Sequence, residues 1–146
     1  MQMNRKILVS YDGSNRSKKA IKEAKNQASI TEKAEVHVIS VVTPGIKSNE
    51  TAIAGNISMA DAEFLLPELH QIKKEMEASG IVTITEIRTD FSQRNPGRAI
   101  CEYALANEID LIIVGNRGLS NIKSLLLGSV SNTIVQNAKC PVLIVK

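Results

Sequence analysis

Apolar residues along the chain fall into two alternating rhythms, short unbroken runs and stripes at helical spacing. Arg5-Lys-Ile-Leu-Val-Ser10 is a short run closed by Asp12-Gly13-Ser14, a turn-and-cap signal, after which Ala20, Ile21, Ala24 and Ala28 recur at helical spacing. Glu35-Val-His-Val-Ile-Ser-Val-Val42 is rich in β-branched residues, and Thr43-Pro44-Gly45 stops it. From Gly45 to about Ser58 the sequence is polar, small and aperiodic, which predicts a mobile surface loop. Ala60, Phe64, Leu65, Leu69, Ile72 and Met76 then trace an apolar helix face ending at Gly80, with Pro67 predicting a kink or a later start.

Ile81-Val-Thr-Ile-Thr-Glu-Ile-Arg88 alternates like a half-exposed strand, and Asn95-Pro96 supplies an N-cap followed by proline at the first position of a helix reaching about Asn107. The last third predicts a strand from Asp110 to Val114, a glycine-containing loop, a helix from about Ser129 to Ala138 and a final strand Pro141–Val145. Strands alternating with helices, most of them continuous apolar runs, predict an α/β fold with a parallel sheet covered on both faces. Right-handed crossovers leave few doubly wound orders, and five strands in the order 3-2-1-4-5 put a switch point between the first and fourth. The Asp12 turn and the loop opening at Gly115 should meet there.

At 146 residues, 43% hydrophobic and 23% charged, the chain fits one domain spanning 1–146. A net charge of +3 is too small and too scattered to mark a nucleic-acid surface, and the absence of Trp with only two Tyr and two Phe removes stacking platforms. The N-terminus shows no secretory pattern, and no apolar stretch approaches the roughly 20 residues that span a bilayer. The expectation is a soluble cytoplasmic protein with neither nucleic acid nor membrane as partner. Cys101 and Cys140 lack metal-type spacing and read as reduced, buried thiols, while His37 and His70 stand alone, far from any carboxylate cluster.

The candidate chemistry lies in the glycines. Gly115 and Gly118 follow the run Leu111–Val114, and nine residues separate Gly118 from Gly128-Ser129, where a helix begins. Glycines let successive N–H groups face one point, and a helix start adds unpaired N–H groups and a positive dipole end, so the pattern reads as a phosphate-binding loop. A tight exit from the strand is the structural alternative. Arg117 and Lys123 could each neutralise phosphate charge or be solvated loop charges, and Ser129, Ser131 and Thr133 offer hydroxyls to a phosphate-bridging Mg²⁺ or serve as plain helix residues.

With these residues in hand, the chain resembles the universal stress protein family, specifically its nucleotide-binding branch. The resemblance covers nearly the whole length: Lys6–Ser14 is similar to the family's opening strand and turn, Val38–Val42 to its second strand and Asp110–Gly115 to its fourth. Gly115-x-x-Gly118, nine residues and Gly128-Ser129 agree with the branch's glycine signature. The resemblance implies an adenine nucleotide alpha hydrolase-like domain that binds ATP, with Mg²⁺, in a stress-response or regulatory role. It implies that Asp12 accepts hydrogen bonds from the ribose and that the Val41 backbone contacts adenine. Gly115, Gly118, Gly128 and Ser129 match the phosphate cradle, with Val130 and Ser131 following on its backbone, and Arg117 stands between the first two glycines. Ser10 occupies a position where the family commonly has proline. The family also implies a homodimer through the Pro141–Val145 edge strand. Asp12 could instead cap the helix it precedes, although Ser14 is the better-placed cap.

Against this binding module stand three other readings. A slow ATPase or autophosphorylating enzyme would need a base or water-positioning residue beside the γ-phosphate, and none is evident; no Gly-Lys-Ser or Gly-Lys-Thr of a Walker A loop occurs either. A phosphoacceptor receiver domain could recruit Asp12, Asp90 and Lys146 but would need an acidic pair after the first strand and a helix after the lysine, and both are missing. A nucleotide-free dimeric scaffold would have no use for the glycines.

Overall fold

Each predicted apolar run becomes a strand in the computed structural model, which describes residues 4–44, 59–91, 95–116 and 127–146. The loop predicted over 45–58 lies outside these residues. In chain order the elements are β1 (Arg5–Ser10), α1 (Asn15–Ser29), β2 (Ala34–Val42), α2 (Met59–Ala78), β3 (Val82–Thr89), α3 (Pro96–Ala106), β4 (Leu111–Gly115), α4 (Ser129–Asn137) and β5 (Val142–Val145). The strands are parallel and ordered β3-β2-β1-β4-β5, the predicted doubly wound arrangement.

The register explains why the central strands read as unbroken apolar runs. Ile7 sits opposite Val36 and Leu111, and Val9 opposite Val38 and Ile113. These side chains pack beneath α1 and α2, against Ala20, Ala24, Leu65 and Leu69. The intervening residues Leu8, Ile39 and Ile112 point to the other face, against Ile100 and Tyr103 of α3 and Ile134 of α4. Leu8 is wholly buried, so truncating it to Ala would cost about 2–5 kcal/mol.

Local signals set the helix starts. Ser14 caps α1 by accepting from Ser17 N at 3.2 Å, and Asn95 caps α3 by accepting from Gly97 N at 2.8 Å, with Pro96 following as predicted. After α2 the chain reverses through Gly80 at φ +81°, a left-handed conformation that glycine adopts without Cβ strain. Among the described residues, no helix is long and apolar enough to cross a membrane.

Several sequence expectations need correcting. The α2 helix runs through Pro67 without a late start, because Leu65, Leu69 and Met76 are buried against the sheet and their packing outweighs the local penalty of one proline. Phe64 is not on that buried face; it is 75% exposed, about 100° around the helix from Leu65. Pro141 precedes β5 rather than opening it, yet its carbonyl accepts from Ile112 N at 3.0 Å. Gly115 closes β4 rather than starting the loop. Cys101 and Cys140 are free thiols but only half-buried, and desolvation raises both above the usual thiol range. His37 does not stand alone: it is buried, with Nε2 2.7 Å from Glu35 Oε1 and Nδ1 2.6 Å from the Tyr103 hydroxyl. With Glu35 as acceptor, Nε2 is the donating nitrogen, and Nδ1 faces the Tyr103 hydroxyl.

Candidate functional site

β1 and β4 are adjacent strands whose following helices cover opposite faces of the sheet, so a crevice opens between their carboxyl ends. Around it stand Ser10, Asp12, Ser14 and Ser17 from the β1 exit, Val114 and Gly115 from β4, and Val130 and Ser131 from α4. Two of the expected elements, the Asp12 turn and the end of β4, thus meet as topology requires. The space enclosed by these residues is about 20 Å³, room for one water-sized group. Arg117, Gly118 and Lys123 lie outside the described residues.

Asp12 organises the turn that leads into α1. Its Oδ1 accepts from Ser14 N at 2.9 Å, leaving Ser14 to cap the helix through Ser17 N. The helix cap and the carboxylate are therefore separate jobs held by neighbouring residues. Tyr11, immediately before, points to the opposite side of the chain: its hydroxyl donates to Glu68 Oε1 at 2.9 Å. Burial, reinforced by that carboxylate, pushes the Tyr11 phenol well above its ordinary range.

At the other wall, α4 starts from Gly128 with no side-chain cap. Gly128 N donates to Asn116 Oδ1 at 3.2 Å, and the helical ladder begins with Asn132 N donating to Gly128 O at 2.9 Å. The first-turn amides of Ser129, Val130 and Ser131 precede that ladder, at the positive end of the helix. Ser131 Oγ donates to Gly128 O at 3.1 Å and Thr133 Oγ1 to Ser129 O at 2.9 Å, so both hydroxyls are turned onto their own helix. Ser129 is exposed and outside the crevice lining.

Of the signature glycines, Gly115 and Gly128 are described, and neither has an unusual φ, since the positive-φ glycines among the described residues are Gly13 and Gly80. Gly115 is required by close approach: a Cβ there would lie 2.8 Å from the Arg16 carbonyl carbon and oxygen. Gly128 has φ −62° and ψ 162°, angles any residue adopts. Nothing in its conformation calls for glycine.

Val41 is buried among the α3 and α4 side of the core and does not line the crevice. Its backbone is placed differently. Ile39 O accepts from Tyr11 N at 2.9 Å and Val42 O from Asp90 N at 2.8 Å, so odd residues of β2 face β1 and even ones face β3. β1 ends at Ser10, opposite Ile39, and the N–H and C=O of Val41 consequently face the space beyond it.

Sequence reasoning missed Arg16, Ser17 and Asn116. Arg16 Nη1 donates to Asn116 O, and Asn116 N donates to Val145 O at 2.8 Å, so one residue ties α1, β5 and the start of α4 together. The available signal was position: Arg16 and Ser17 open the helix after β1, and Asn116 follows Gly115. Among the described residues no three His, Cys, Asp or Glu side chains form a group able to hold a metal.

Comparison with known proteins gives one consistent family. The model of the universal stress protein family matches residues 3–146. A universal stress protein of Methanocaldococcus jannaschii is 35% identical over 144 residues, covering 97% of this chain and 82% of the relative. Among solved structures, the universal stress protein UspA from Lactobacillus plantarum superposes with a TM-score of 0.77 at 25% identity, covering 100% of both chains. A universal stress protein crystallised in complex with cAMP superposes with a TM-score of 0.69 at 26% identity, covering 97% of each chain.

Proposed function

The chain belongs to the universal stress protein family, and from that membership we propose that it binds an adenine nucleotide, chiefly ATP, at the carboxyl ends of β1 and β4, as a regulatory module spanning 1–146. The observation that carries this reading is the uncapped start of α4 facing the Asp12 turn across the switch point. A helix start without a capping side chain is an anion seat, and a carboxylate on the opposite wall suits sugar hydroxyls rather than phosphate. The relative crystallised with cAMP supports adenine as the base.

In this reading the Asp12 carboxylate accepts from the ribose, and the N–H and C=O of Val41 hydrogen-bond the adenine edge. The amides of Gly128, Ser129, Val130 and Ser131 hold phosphate oxygens, with Gly115, Gly118 and Arg117 completing the cradle. Gly128 has ordinary backbone angles, and in this reading its missing side chain leaves room for a phosphate. Entry widens the crevice beyond its present 20 Å³. Mg²⁺, if it accompanies the nucleotide, would be held by phosphate oxygens and would screen their charge, and the Ser131 and Thr133 hydroxyls, which donate to helix carbonyls, keep lone pairs that would be able to ligate it. The binding signal passes to a second copy of the chain paired along β5, making a homodimer.

Acid extraction of purified protein followed by chromatography of the supernatant tests occupancy, and calorimetry with ATP and inorganic triphosphate tests the assignments. ATP should bind, and Asp12→Ala should weaken ATP while sparing triphosphate. Equal weakening of both would reject the ribose assignment, and no measurable ATP binding would reject the function. Incubation with γ-labelled ATP and Mg²⁺ should show little turnover or self-labelling; brisk release of phosphate would favour the enzyme.

A further inference from the structure

α1 and α2 cover the same face of the sheet but stand apart, leaving a groove of about 590 Å³, within the ~300–1,000 Å³ of small-molecule sites. Its floor is apolar, built from Tyr11, Ile21, Ile72 and Met76. Its two walls carry opposite charge. On α2, Glu68 accepts from Tyr11 and Glu75 accepts from Gln71 Nε2, both at 2.9 Å. On α1, Lys18, Lys22 and Lys25 follow one another along the rim, exposed, with no ion pair among the described residues.

Three ammonium groups on α1 face two carboxylates on α2, so the groove is net positive along the α1 rim, and that rim borders an apolar bed. Lysine suits such a rim, since its methylene stem lies along apolar surface while the ammonium stays at the water boundary. We propose that the α1–α2 groove is a binding site for a small amphipathic anion, an aliphatic or aromatic body resting on Ile21, Ile72 and Met76 with a carboxylate or phosphate head held by Lys18, Lys22 and Lys25. The groove's length favours a small molecule over a protein segment. Lys18 to Lys25 spans about 10 Å of helix axis, and the groove's volume lies in the small-molecule range. This site is distinct from the crevice: Tyr11 floors the groove and Asp12, the next residue, lines the other space.

The test is a methyl-detected NMR titration of the full chain with dodecanoate and dodecyl phosphate at monomeric concentrations, with dodecyltrimethylammonium as the charge control. The expected result is saturable shifts at Ile21, Ile72 and Met76 with at least one of the two anions and none with the ammonium; the tighter anion identifies the head group. The triple variant Lys18→Glu, Lys22→Glu, Lys25→Glu alters exposed side chains only and should keep its circular dichroism while losing at least tenfold in anion affinity. Ile72→Gln should weaken both anions through the floor, leaving the lysines in place. Equal binding of the ammonium would overturn the proposal, as would undiminished affinity in the triple variant. Shifts at the exposed Ile30 and Leu105 methyls in place of the groove, or association seen only with vesicles or micelles, would overturn it too.

Discussion

At the residue scale, Gly115 and Gly128 look alike in sequence but stand in different surroundings. A methyl at Gly115 meets the Arg16 backbone, which cannot swing aside as a side-chain tip could. Gly115→Ala should therefore lower stability by about 1–3 kcal/mol in urea unfolding, whatever its effect on ligand. Gly128→Val puts a poor N-cap at the start of α4 and should cost about 1 kcal/mol with the fold intact, while abolishing ATP binding by calorimetry; retained affinity would contradict the anion seat. Tyr11 gives a pH prediction. Its folded-state value is raised above the ordinary phenol value of 10.0, first by burial and then by Glu68, so the folded protein holds that proton more tightly. The stabilisation is complete below about pH 10 and falls as pH rises beyond it. Tyr11→Phe should cost about 1–3 kcal/mol at neutral pH and give a shallower alkaline decline, with the Tyr103 share remaining because burial raises that phenol as well. That the Asp12 turn and the end of β4 meet was legible from the strand order. Asn116 was not, and neither was the His37–Tyr103 contact, because these pairings join residues 12 and 66 positions apart that only the fold brings together.

At the element scale, strands and caps were the most legible features, since each rests on neighbours in sequence: the Ser14 and Asn95 caps and the Gly80 turn stand where predicted. Strand ends shifted by a residue because ladders are completed by partners, as when Pro141 lends only its carbonyl to β4. Pro67 shows the limit of local rules most clearly. It sits exposed within α2, removing one helical N–H while Leu65 and Leu69 on either side keep the helix seated. Pro67→Ala should stabilise the protein by about 1–3 kcal/mol, with slower amide exchange in the preceding turn. Unchanged stability would mean that relief of the bend is matched by the entropy that proline removes from the unfolded chain.

At the scale of the whole molecule, crossover handedness made strand order and the switch point legible, whereas the spacing between α1 and α2 depends on side-chain packing that periodicity does not encode. β5 carries the prediction for assembly. Pro141 O and Val145 O bond to β4, so odd residues face inward and the N–H and C=O of Val142 and Ile144 face the open edge. Ile144→Pro should remove an outward N–H and convert a homodimer to monomer by sedimentation, while Leu143→Pro, which strikes the inward ladder, should unfold the chain. A dimer that survives Ile144→Pro would be built elsewhere. Asn116 bonds through its N–H to the last residue of that edge strand and through its side chain to the first amide of α4. The protein thus supplies its own surrogate for an incoming oxygen: whatever occupies the Gly128 amide must first unseat an internal amide, and the rim residue it unseats is anchored to the border that a sister molecule would share.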